Sequence, residues 1–273
     1  MRKFLWLVLL LLLAQSAAFC FETKFIVLSD VHIATSAKRD DKNRQLTQSI
    51  SLLQKAVKEI NQSDADFVIF SGDVIDKTDK TCLVMFAKII NKLRKPYYVI
   101  PGNHDVAQFV GIDKKEFFRL VNKFSHNKTS KVPCVKTRGG LVFIFMDGVN
   151  QVIPSSAGYY KEDELIWLDK KLNRYKGRDV IIVQHFPLVE PYYRKSHMTY
   201  KADEYLKLLS KHNNVIAVIS GHFHSEDENF NNGILHISAP ALIETGEYKE
   251  ITISRGAGEN KRTIKSKVFS VQQ

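Results

Sequence analysis

The sequence is poor in cysteine and proline and has no block of five or more like charges. Its three cysteines, Cys20, Cys82 and Cys134, lack the CxxC spacing of a structural zinc site. Seven prolines in 273 residues exclude a collagen-like chain. Hydrophobic residues make up 44% and charged residues 25% of the chain, which also excludes a disordered tail and a coiled-coil rod. We therefore expect a folded protein with a hydrophobic core.

Long hydrophobic runs are absent as well. The run at residues 4–14 has eleven apolar residues, whereas a transmembrane helix needs about 20, so a polytopic membrane protein is excluded. The run follows Arg2 and Lys3 and is succeeded by small residues that end at Ala18, which is the order of a secretory signal peptide. We expect residues 1–18 to be removed and the mature protein to be secreted or periplasmic.

The first cysteine leaves an alternative open. Cys20 resembles the lipidated cysteine of bacterial lipoproteins, but Phe19 precedes it where that signal has a small residue. A lipid anchor at Cys20 is therefore the less favoured alternative, and membrane contact is expected only through an uncleaved or lipidated N-terminus. In an exported protein two of the three cysteines can form a disulfide, and the sequence leaves the pair open.

Short β-rich runs alternate with amphipathic stretches whose apolar residues recur at helical spacing. The pattern predicts strands at 24–29, 67–70, 97–100, 141–146, 179–183 and 215–219, helices at 43–61, 81–93, 113–124, 162–175 and 202–212, and a tail of three strands at 234–238, 248–254 and 263–271 without helices. A chain of this length can form one large domain or two small ones. Because no linker or repeat divides it, we expect one α/β domain over residues 19–273, with two packed mixed β-sheets flanked by helices.

Polar residues follow five of the predicted strands at their carboxyl ends. They are Asp30 and His32, Asp73, Asn103 with His104 and Asp105, His185, and His222 with His224. Loops at the carboxyl ends of strands converge in α/β sheets, so these side chains can meet although they are far apart in the sequence. Buried aspartate and histidine are costly unless they are paired, and a metal ion gives both residue types a partner.

The spacing of these residues favours metal binding. Asp-x-His and His-x-His place alternate side chains on the same side of an extended segment, so that both can reach one ion. We expect Gly72, Gly102 and Gly221 to adopt positive φ and bring the backbone close to the site. Carboxylate, imidazole and amide ligands without thiolate suit Mn, Fe or Zn better than Ca. The candidate ligands are too many for one ion, and Asp73 is central enough to bridge two.

The same segments resemble the calcineurin-like metallophosphoesterase superfamily. Its motifs Asp-x-His, Gly-Asp, Gly-Asn-His-Asp/Glu, a single His and Gly-His-x-His occur in this order from Asp30 to His224. Order and size are most similar to the cyclic-nucleotide phosphodiesterase-like branch. The resemblance implies a four-layer α-β-β-α sandwich. It also implies a phosphoesterase that hydrolyses a phosphodiester or phosphomonoester bond by attack of a hydroxide bridging two metal ions.

The resemblance assigns a role to each motif residue. One ion would be held by Asp30, His32, Asp73 and His224, and the second by Asp73, Asn103, His185 and His222. His104 is the implied catalytic residue, which protonates the leaving oxygen or stabilises the developing charge, and Asp105 would hold its other ring nitrogen. The implied cofactors are two divalent or trivalent ions, with Mn, Fe and Zn favoured.

The substrate is left open by the sequence. Segment 187–200 follows His185 and is rich in aromatic and basic residues, so it can recognise a small phosphorylated substrate such as a nucleotide, although an ordinary surface loop explains it equally well. The net charge of +11 is spread over the whole chain and no aromatic-basic stripe is present, so no stable nucleic acid partner is expected. The alternatives are a broad exported phosphatase and a catalytically silent binding scaffold of this fold.

Overall fold

The computed structural model describes residues 21–126, 128, 131–256 and 262–272. The expected leader and Cys20 lie outside this part of the chain. The strands are β1 (Phe21–Leu28), β2 (Phe67–Phe70), β3 (Tyr97–Val99), β4 (Cys134–Arg138), β5 (Leu141–Phe145), β6 (Val180–Val183), β7 (Val215–Ser220), β8 (Asp227–Asn231), β9 (Ile234–Ser238), β10 (Glu247–Arg255) and β11 (Arg262–Ser270). The α-helices are α1 (Ser49–Ile60), α2 (Lys80–Ile90), α3 (Lys114–Lys123), α4 (Glu162–Arg174), α5 (Ala202–Leu209) and α6 (Leu242–Thr245), and short 3₁₀ turns lie at Leu46–Gln48 and Lys195–His197.

Two mixed sheets form the centre of the molecule. The five-stranded sheet has the order β11-β10-β1-β2-β3, in which β1, β2 and β3 are parallel. The six-stranded sheet has the order β4-β5-β6-β7-β9-β8, in which β5, β6, β7 and β9 are parallel. Antiparallel strands lie at both edges of the six-stranded sheet, and at only one edge of the five-stranded sheet, whose other edge is the parallel strand β3. The carboxyl ends of neighbouring parallel strands lie at one edge, where loops can converge.

Hydrophobic clusters show how the layers pack. Between the sheets, Phe25 and Phe67 of the five-stranded sheet stack at 5.1 Å, and the ring of Phe143 meets both edge-on from the other sheet. A second cluster joins the outer face of the first sheet to α1, α2 and α3, and a third joins the second sheet to α4 and α5. This arrangement confirms the predicted four layers. It also explains why the central strands are continuous apolar runs, because both of their faces are buried.

Local sequence signals set the ends of several helices. Asp79 caps α2 by accepting a hydrogen bond from the backbone N–H of Cys82, and Asp113 caps α3 in the same way through the N–H of Glu116. The helix predicted at 43–61 begins only at Ser49, after the 3₁₀ turn. Neither Cys82 nor Cys134 forms a disulfide with a described residue. Within the described ranges, no helix is both long enough and apolar enough to cross a membrane.

Three elements differ from the sequence expectation. The sequence pattern assigned no element to residues 134–138 or 227–231, where the structure has β4 and β8, polar edge strands that each pair with a single neighbour. The expectation of a tail without helices is wrong, because α6 lies between β9 and β10. This helix has four residues, which is too few for a helical period to be visible in the sequence.

Candidate metal centre

Five loops at the carboxyl ends of strands bring the predicted polar residues together. Asp30, Asp73 and Asn103 follow the parallel strands β1, β2 and β3, and His185 and His222 follow β6 and β7 of the other sheet. Backbone hydrogen bonds align the loops, since the N–H of Asp30 donates to the carbonyl of Gly72 at 3.1 Å and the N–H of Gly221 donates to the carbonyl of His185 at 3.0 Å. The site therefore lies where the two sheets meet.

One group of candidate ligands consists of Asp30, His32 and His224. One ligand atom from each residue lies within 4.8 Å of the others. Nε2 of His224 is 3.3 Å from Oδ1 of Asp30 and 3.3 Å from Nε2 of His32. The three atoms thus face a common point, as ligands of one ion would.

A second group consists of Asp73, His185 and His222. Nε2 of His185 is 3.3 Å from Oδ2 of Asp73 and 3.2 Å from the amide oxygen of Asn103. The other ring nitrogen of His185 donates a hydrogen bond to the carbonyl of Ser71 at 2.9 Å, which leaves Nε2 free to bind a cation. The structure thus brings together all seven residues predicted as ligands.

The buried polar atoms of the site fit a metal ion. Nε2 of the almost fully buried His222 has no hydrogen-bond partner among the described residues, and Oδ1 of the completely buried Asp30 has only the ion-pair contact with Nε2 of His224 at 3.3 Å. Leaving such atoms unpaired costs about 1–3 kcal/mol each, and more for a charged group. A cation coordinated by these atoms removes that cost. The donor set of carboxylates, imidazoles and one amide is also the set that Mn, Fe or Zn accept.

The backbone at the ligands is unusual. Asp30, His32, Asp73, His222 and His224 all adopt positive φ, between 46° and 74°. Such a conformation is disfavoured for residues other than glycine by roughly 1–2 kcal/mol and clusters at functional sites. The expectation that Asp-x-His and His-x-His segments are extended is therefore wrong. Their side chains meet because each ligand residue itself turns the chain.

The neighbouring glycines have a different role from the one expected. Gly72 has positive φ, but Gly102 and Gly221 do not. A Cβ atom on Gly102 would lie 2.1 Å from Oδ1 of Asp73, and one on Gly221 would lie 1.8 Å from Oγ of Ser29. Glycine at these two positions therefore allows close approach of the loops, without any need for a left-handed backbone.

His104 lies beside Asp73, because its backbone N–H donates to Oδ1 of that carboxylate at 2.8 Å. Its ring Nδ1 is 2.6 Å from the backbone carbonyl oxygen of Asp76. A carbonyl can only accept, so this contact fixes the proton on Nδ1 and leaves Nε2 for proton transfer. The expectation that Asp105 orients His104 is wrong. The buried Asp105 carboxylate accepts hydrogen bonds from the N–H groups of Gly102 and Ile75 instead, at 2.7 and 3.0 Å.

Two further carboxylates lie beside the imidazoles of His224 and His32. Neither carboxylate belongs to a motif found in the sequence. Oε1 of Glu244, on α6, is 2.7 Å from Nδ1 of His224. Oδ1 of Asp76 is 3.6 Å from Nδ1 of His32 and is held by Nη1 of Arg44 at 2.6 Å. The hydrogen-bonded Glu244 fixes the tautomer of His224 and makes that ring a stronger ligand, whereas Asp76, at 3.6 Å, acts on His32 through its charge. The spacing of Asp76 after Asp73 was the only signal available in the sequence.

Burial and neighbouring charges shift the pKa values of five candidate ligands. Burial would raise the pKa values of Asp30 and Asp73, but the neighbouring imidazoles hold both well below their usual range. Burial would lower the pKa of His185, yet Asp73 raises it to about 9, and Asp30 likewise raises the pKa of His224 to about 10. Burial and His185 lower the pKa of His222 to about 3. The two carboxylates thus require positive charge, which a bound cation supplies.

Four of the candidate ligands, Asp73, Asn103, His222 and His224, line a cleft of about 490 Å³. Segment 187–200 lies at this cleft, as predicted, and contributes Tyr192, Arg194 and His197. The hydroxyl of Tyr192 donates to the carbonyl of Phe223 at 3.0 Å, and the ring of His197 stacks on His222 with centroids 5.0 Å apart. The segment is therefore packed directly on a ligand loop.

Comparisons with known proteins agree with this geometry. Residues 23–226 match the model of the calcineurin-like phosphoesterase family. A probable glycerophosphodiester phosphodiesterase from Arcobacter nitrofigilis is 26% identical over 219 residues, which covers 78% of this chain and 76% of that protein. A 3',5'-cyclic-nucleotide phosphodiesterase from Nostoc is 23% identical, with 78% and 76% covered.

The fold also has a match among solved structures. A dimetal phosphatase from Danio rerio superimposes with a TM-score of 0.66 at 17% identity, covering 89% of this chain and 98% of that one. The family match extends over most of the chain and includes every loop that supplies a candidate ligand. The chain therefore belongs to the calcineurin-like phosphoesterases, which are metal-dependent hydrolases of phosphoric ester bonds.

Proposed function

We propose that the protein binds two metal ions and hydrolyses a small phosphodiester. Asp30, His32 and His224 would hold one ion, and Asn103, His185 and His222 the other, with Asp73 shared. The position of Asp73 carries the proposal. Its Oδ2 lies 3.3 Å from Nε2 of His185 in the second group and 3.9 Å from Nε2 of His32 in the first. A carboxylate between two sets of imidazoles is placed to bridge two cations, and we favour Mn, Fe or Zn for both.

When bound, such ions supply an activated water nucleophile and neutralise the charge of the phosphoryl group. The protein contributes the remaining steps. His104 lines the cleft with its Nδ1 proton fixed by the Asp76 carbonyl, so Nε2 faces the substrate and, when the ring is in the imidazolium form, can give a proton to the leaving oxygen and leave the ring neutral. Burial of Asp30, Asp73 and His185 keeps bulk water away from the ligands and strengthens their electrostatic interactions.

The cleft supports an anionic substrate of small size. Beside the candidate ligands it is lined by Lys42, Arg44 and Arg194, which can attract a phosphate group and any further anionic group of the substrate. Tyr192 offers an aromatic face for a base or sugar. The similarity to proteins named as cyclic-nucleotide and glycerophosphodiester phosphodiesterases favours a diester over a monoester. A cleft of about 490 Å³ accommodates one nucleotide and not a nucleic acid strand.

We also propose that the protein is exported and folds as one domain over residues 19–273. The proposal of export rests on the basic residues, the apolar run and the small residues of positions 1–18, and it places the enzyme outside the cytoplasm. Mass determination of the mature N-terminus after expression in a secreting host tests both the cleavage at Ala18 and lipidation at Cys20.

The test of activity uses metal-stripped protein and two chromogenic esters. We expect no hydrolysis of bis-p-nitrophenyl phosphate without metal, and turnover after addition of Mn, Fe or Zn, with p-nitrophenyl phosphate a poorer substrate. Asp73→Asn should lower kcat by at least about a thousandfold and reduce the bound metal from two ions to one or none. Asp64→Asn is the control, because Asp64 is an exposed partner of Lys24 remote from the cleft.

The alternative of a silent scaffold predicts a different result. A folded protein that binds two equivalents of metal but hydrolyses neither test ester nor a panel of cyclic nucleotides and glycerophosphodiesters would contradict the proposed activity. Binding of one equivalent with full activity would contradict the shared role of Asp73.

A further inference from the structure

A second cavity adjoins the cleft beside His104. It has a volume of about 450 Å³. Arg44, Asn103, His104 and Ser156 line both cavities, so the two meet at the candidate proton donor. The group that gives a proton to the leaving oxygen must lie next to the leaving group. The second cavity is therefore placed to receive the leaving group in the hydrolysis proposed above.

The second cavity has an apolar wall that extends to the protein surface. Val110 and Pro154 line it. Val110 is 83% exposed and its neighbour Phe109 is 76% exposed, and Val152 and Ile153, which precede Pro154, are exposed as well. Exposed apolar patches of this kind mark ligand-binding grooves or interaction sites, and the continuity of this one with the cavity of His104 favours a ligand.

Backbone contacts hold this wall in place. The N–H of Gln108 donates to the carbonyl of Gln151 at 2.8 Å, which joins the loop of Val110 to the loop of Pro154. Gly111 packs so closely on Thr78 that a Cβ atom at this glycine would lie 2.0 Å from the Thr78 hydroxyl oxygen. The wall is therefore preformed, which reduces the entropic cost of binding a ligand.

The charged residues of the second cavity argue against a cationic leaving group. Asp76 is the only carboxylate among the described residues that line it, and Nη1 of Arg44 already pairs with its Oδ1 at 2.6 Å. Arg44 and Lys77 also line the cavity, and their positive charge suits the anionic phosphodiester itself. The surface that remains for the leaving alcohol is the neutral apolar wall.

We propose that the second cavity binds the leaving alcohol of the substrate and that this alcohol carries an alkyl chain. The proposal rests on the proposed phosphodiesterase activity and names its substrate class, a phosphodiester that joins a polar alcohol to an apolar one. One water is consumed. Its oxygen bonds to phosphorus, the P–O bond to the apolar alcohol breaks, and the leaving oxygen takes a proton from the imidazolium of His104, which a proton from the water replaces. The polar alcohol keeps the phosphate and stays in the cleft, where Tyr192 and Arg194 lie.

The test compares the ethyl and octyl diesters of glycerol phosphate as substrates of the metal-loaded protein, below the concentration at which the octyl diester aggregates. We expect octanol and glycerol phosphate as the products, and a kcat/KM at least about tenfold higher for the octyl than for the ethyl diester. A fully buried methylene contributes a factor of about four, so burial of two of the six additional methylenes is sufficient.

Two variants test the wall itself. Val110→Ser and Phe109→Ser should each reduce the octyl-to-ethyl ratio by about three- to tenfold, because each removes part of the apolar surface. Both side chains are exposed, so the fold should be retained. Phe230→Ser is the matched control for Phe109→Ser, because Phe230 is 77% exposed, lies on β8 and lines neither cavity. It should leave the ratio unchanged.

Hydrolysis of bis-p-nitrophenyl phosphate tests the proposed function separately. If this ester is hydrolysed but the ethyl and octyl diesters react equally, or if glycerol and octyl phosphate are the products, the leaving-group site is overturned and the hydrolytic function stands. If no ester is hydrolysed, the proposed function fails, and calorimetric titration with octylphosphonate and ethylphosphonate decides the apolar site. We expect octylphosphonate to bind at least about tenfold more tightly, with a smaller difference in Val110→Ser. Equal affinity for the two phosphonates would overturn the site.

Discussion

The Nδ1 atom of His224 lies 2.7 Å from Oε1 of Glu244, which connects a candidate metal ligand to a carboxylate on the four-residue helix α6. Backbone hydrogen bonds from Leu242 to Ser29 and from Ile243 to Asp30, at 3.0 and 3.2 Å, fix this helix to the first ligand loop. Helix α6 therefore helps to position two parts of the candidate metal centre, the His224 ring and the loop that carries Asp30. The carboxylate keeps the His224 ring in the orientation that presents Nε2 to Asp30.

The first prediction concerns this support. Glu244→Gln keeps the size of the side chain but removes its charge, so it should weaken metal affinity by about ten- to a hundredfold. Activity measured against free Mn concentration should shift to higher metal, with kcat recovered at saturation. Glu247→Gln, on the adjacent strand β10, is the control. A loss of kcat that excess metal does not restore would argue against a role in holding His224.

A second prediction tests the close approach of the ligand loops. Gly102→Ala places a methyl group where Oδ1 of Asp73 now lies, so it should displace the carboxylate and abolish binding of at least one ion. We expect activity to fall by at least about a hundredfold. Gly233→Ala is the matched control, because Gly233 has positive φ and nothing within 4 Å of the added carbon. It should cost about 1 kcal/mol of stability and leave metal content unchanged.

The sequence predicted the candidate ligands well because each of them lies in a polar segment that directly follows a predicted strand. The seven candidate ligands follow strands, and the convergence of strand ends was sufficient to predict that they meet. Glu244 could not be found in this way, since its contact with His224 depends on where a short, non-periodic helix packs.

Backbone conformation was the least predictable property. Glycine was expected to take the left-handed conformation, yet Asp30, His222 and three other ligands take it. Such strain is held by the surrounding loops and has no local sequence signal. The edge strands β4 and β8 were missed for a related reason. Each pairs on one side only, so its residues do not show the buried apolar pattern of a central strand.

A third prediction concerns pH. Burial, followed by the charge of Asp147, raises the pKa of Glu164 from 4.5 to about 7. The folded protein thus binds this proton more tightly than the unfolded chain, and the associated stability is lost as pH rises from 4.5 through 7. Glu164→Gln should therefore raise the free energy of unfolding at pH 8 by about 1 kcal/mol, after allowing for solvent screening, and change it little at pH 4.5. Urea unfolding at both pH values measures this, with the exposed Glu162→Gln as control.

A fourth prediction concerns metal removal. The unpaired Nε2 of His222, the burial of the Asp30 and Asp73 charges and the strained ligand backbones all oppose folding unless a cation is bound. Addition of Mn at a hundred times its dissociation constant should stabilise the protein by about 2.7 kcal/mol for each ion that binds. For a chain of this size that corresponds to a rise in Tm of about 5–10 °C per ion over the metal-stripped protein. An identical Tm with and without metal would show that the metal does not bind the folded protein in preference to the unfolded chain, which would contradict the proposed metal centre.

The last prediction concerns a buried lysine that joins the two sheets through two partly exposed glutamates. Lys249 on β10 is completely buried, and its Nζ lies 2.6 Å from Glu226 and 2.5 Å from Glu228, which is on β8 of the other sheet. Exchanging both glutamates for glutamine leaves a buried ammonium without a counter-charge, which should cost about 3 kcal/mol.

Lys249→Met in the same background should recover most of that loss, because an apolar side chain of similar length needs no partner in a hydrophobic environment. Urea unfolding of the double and triple variants measures the difference. If the double glutamine variant were as stable as the parent protein, the contact between the sheets would rest on apolar packing alone, and the ion pair would contribute nothing measurable to their association.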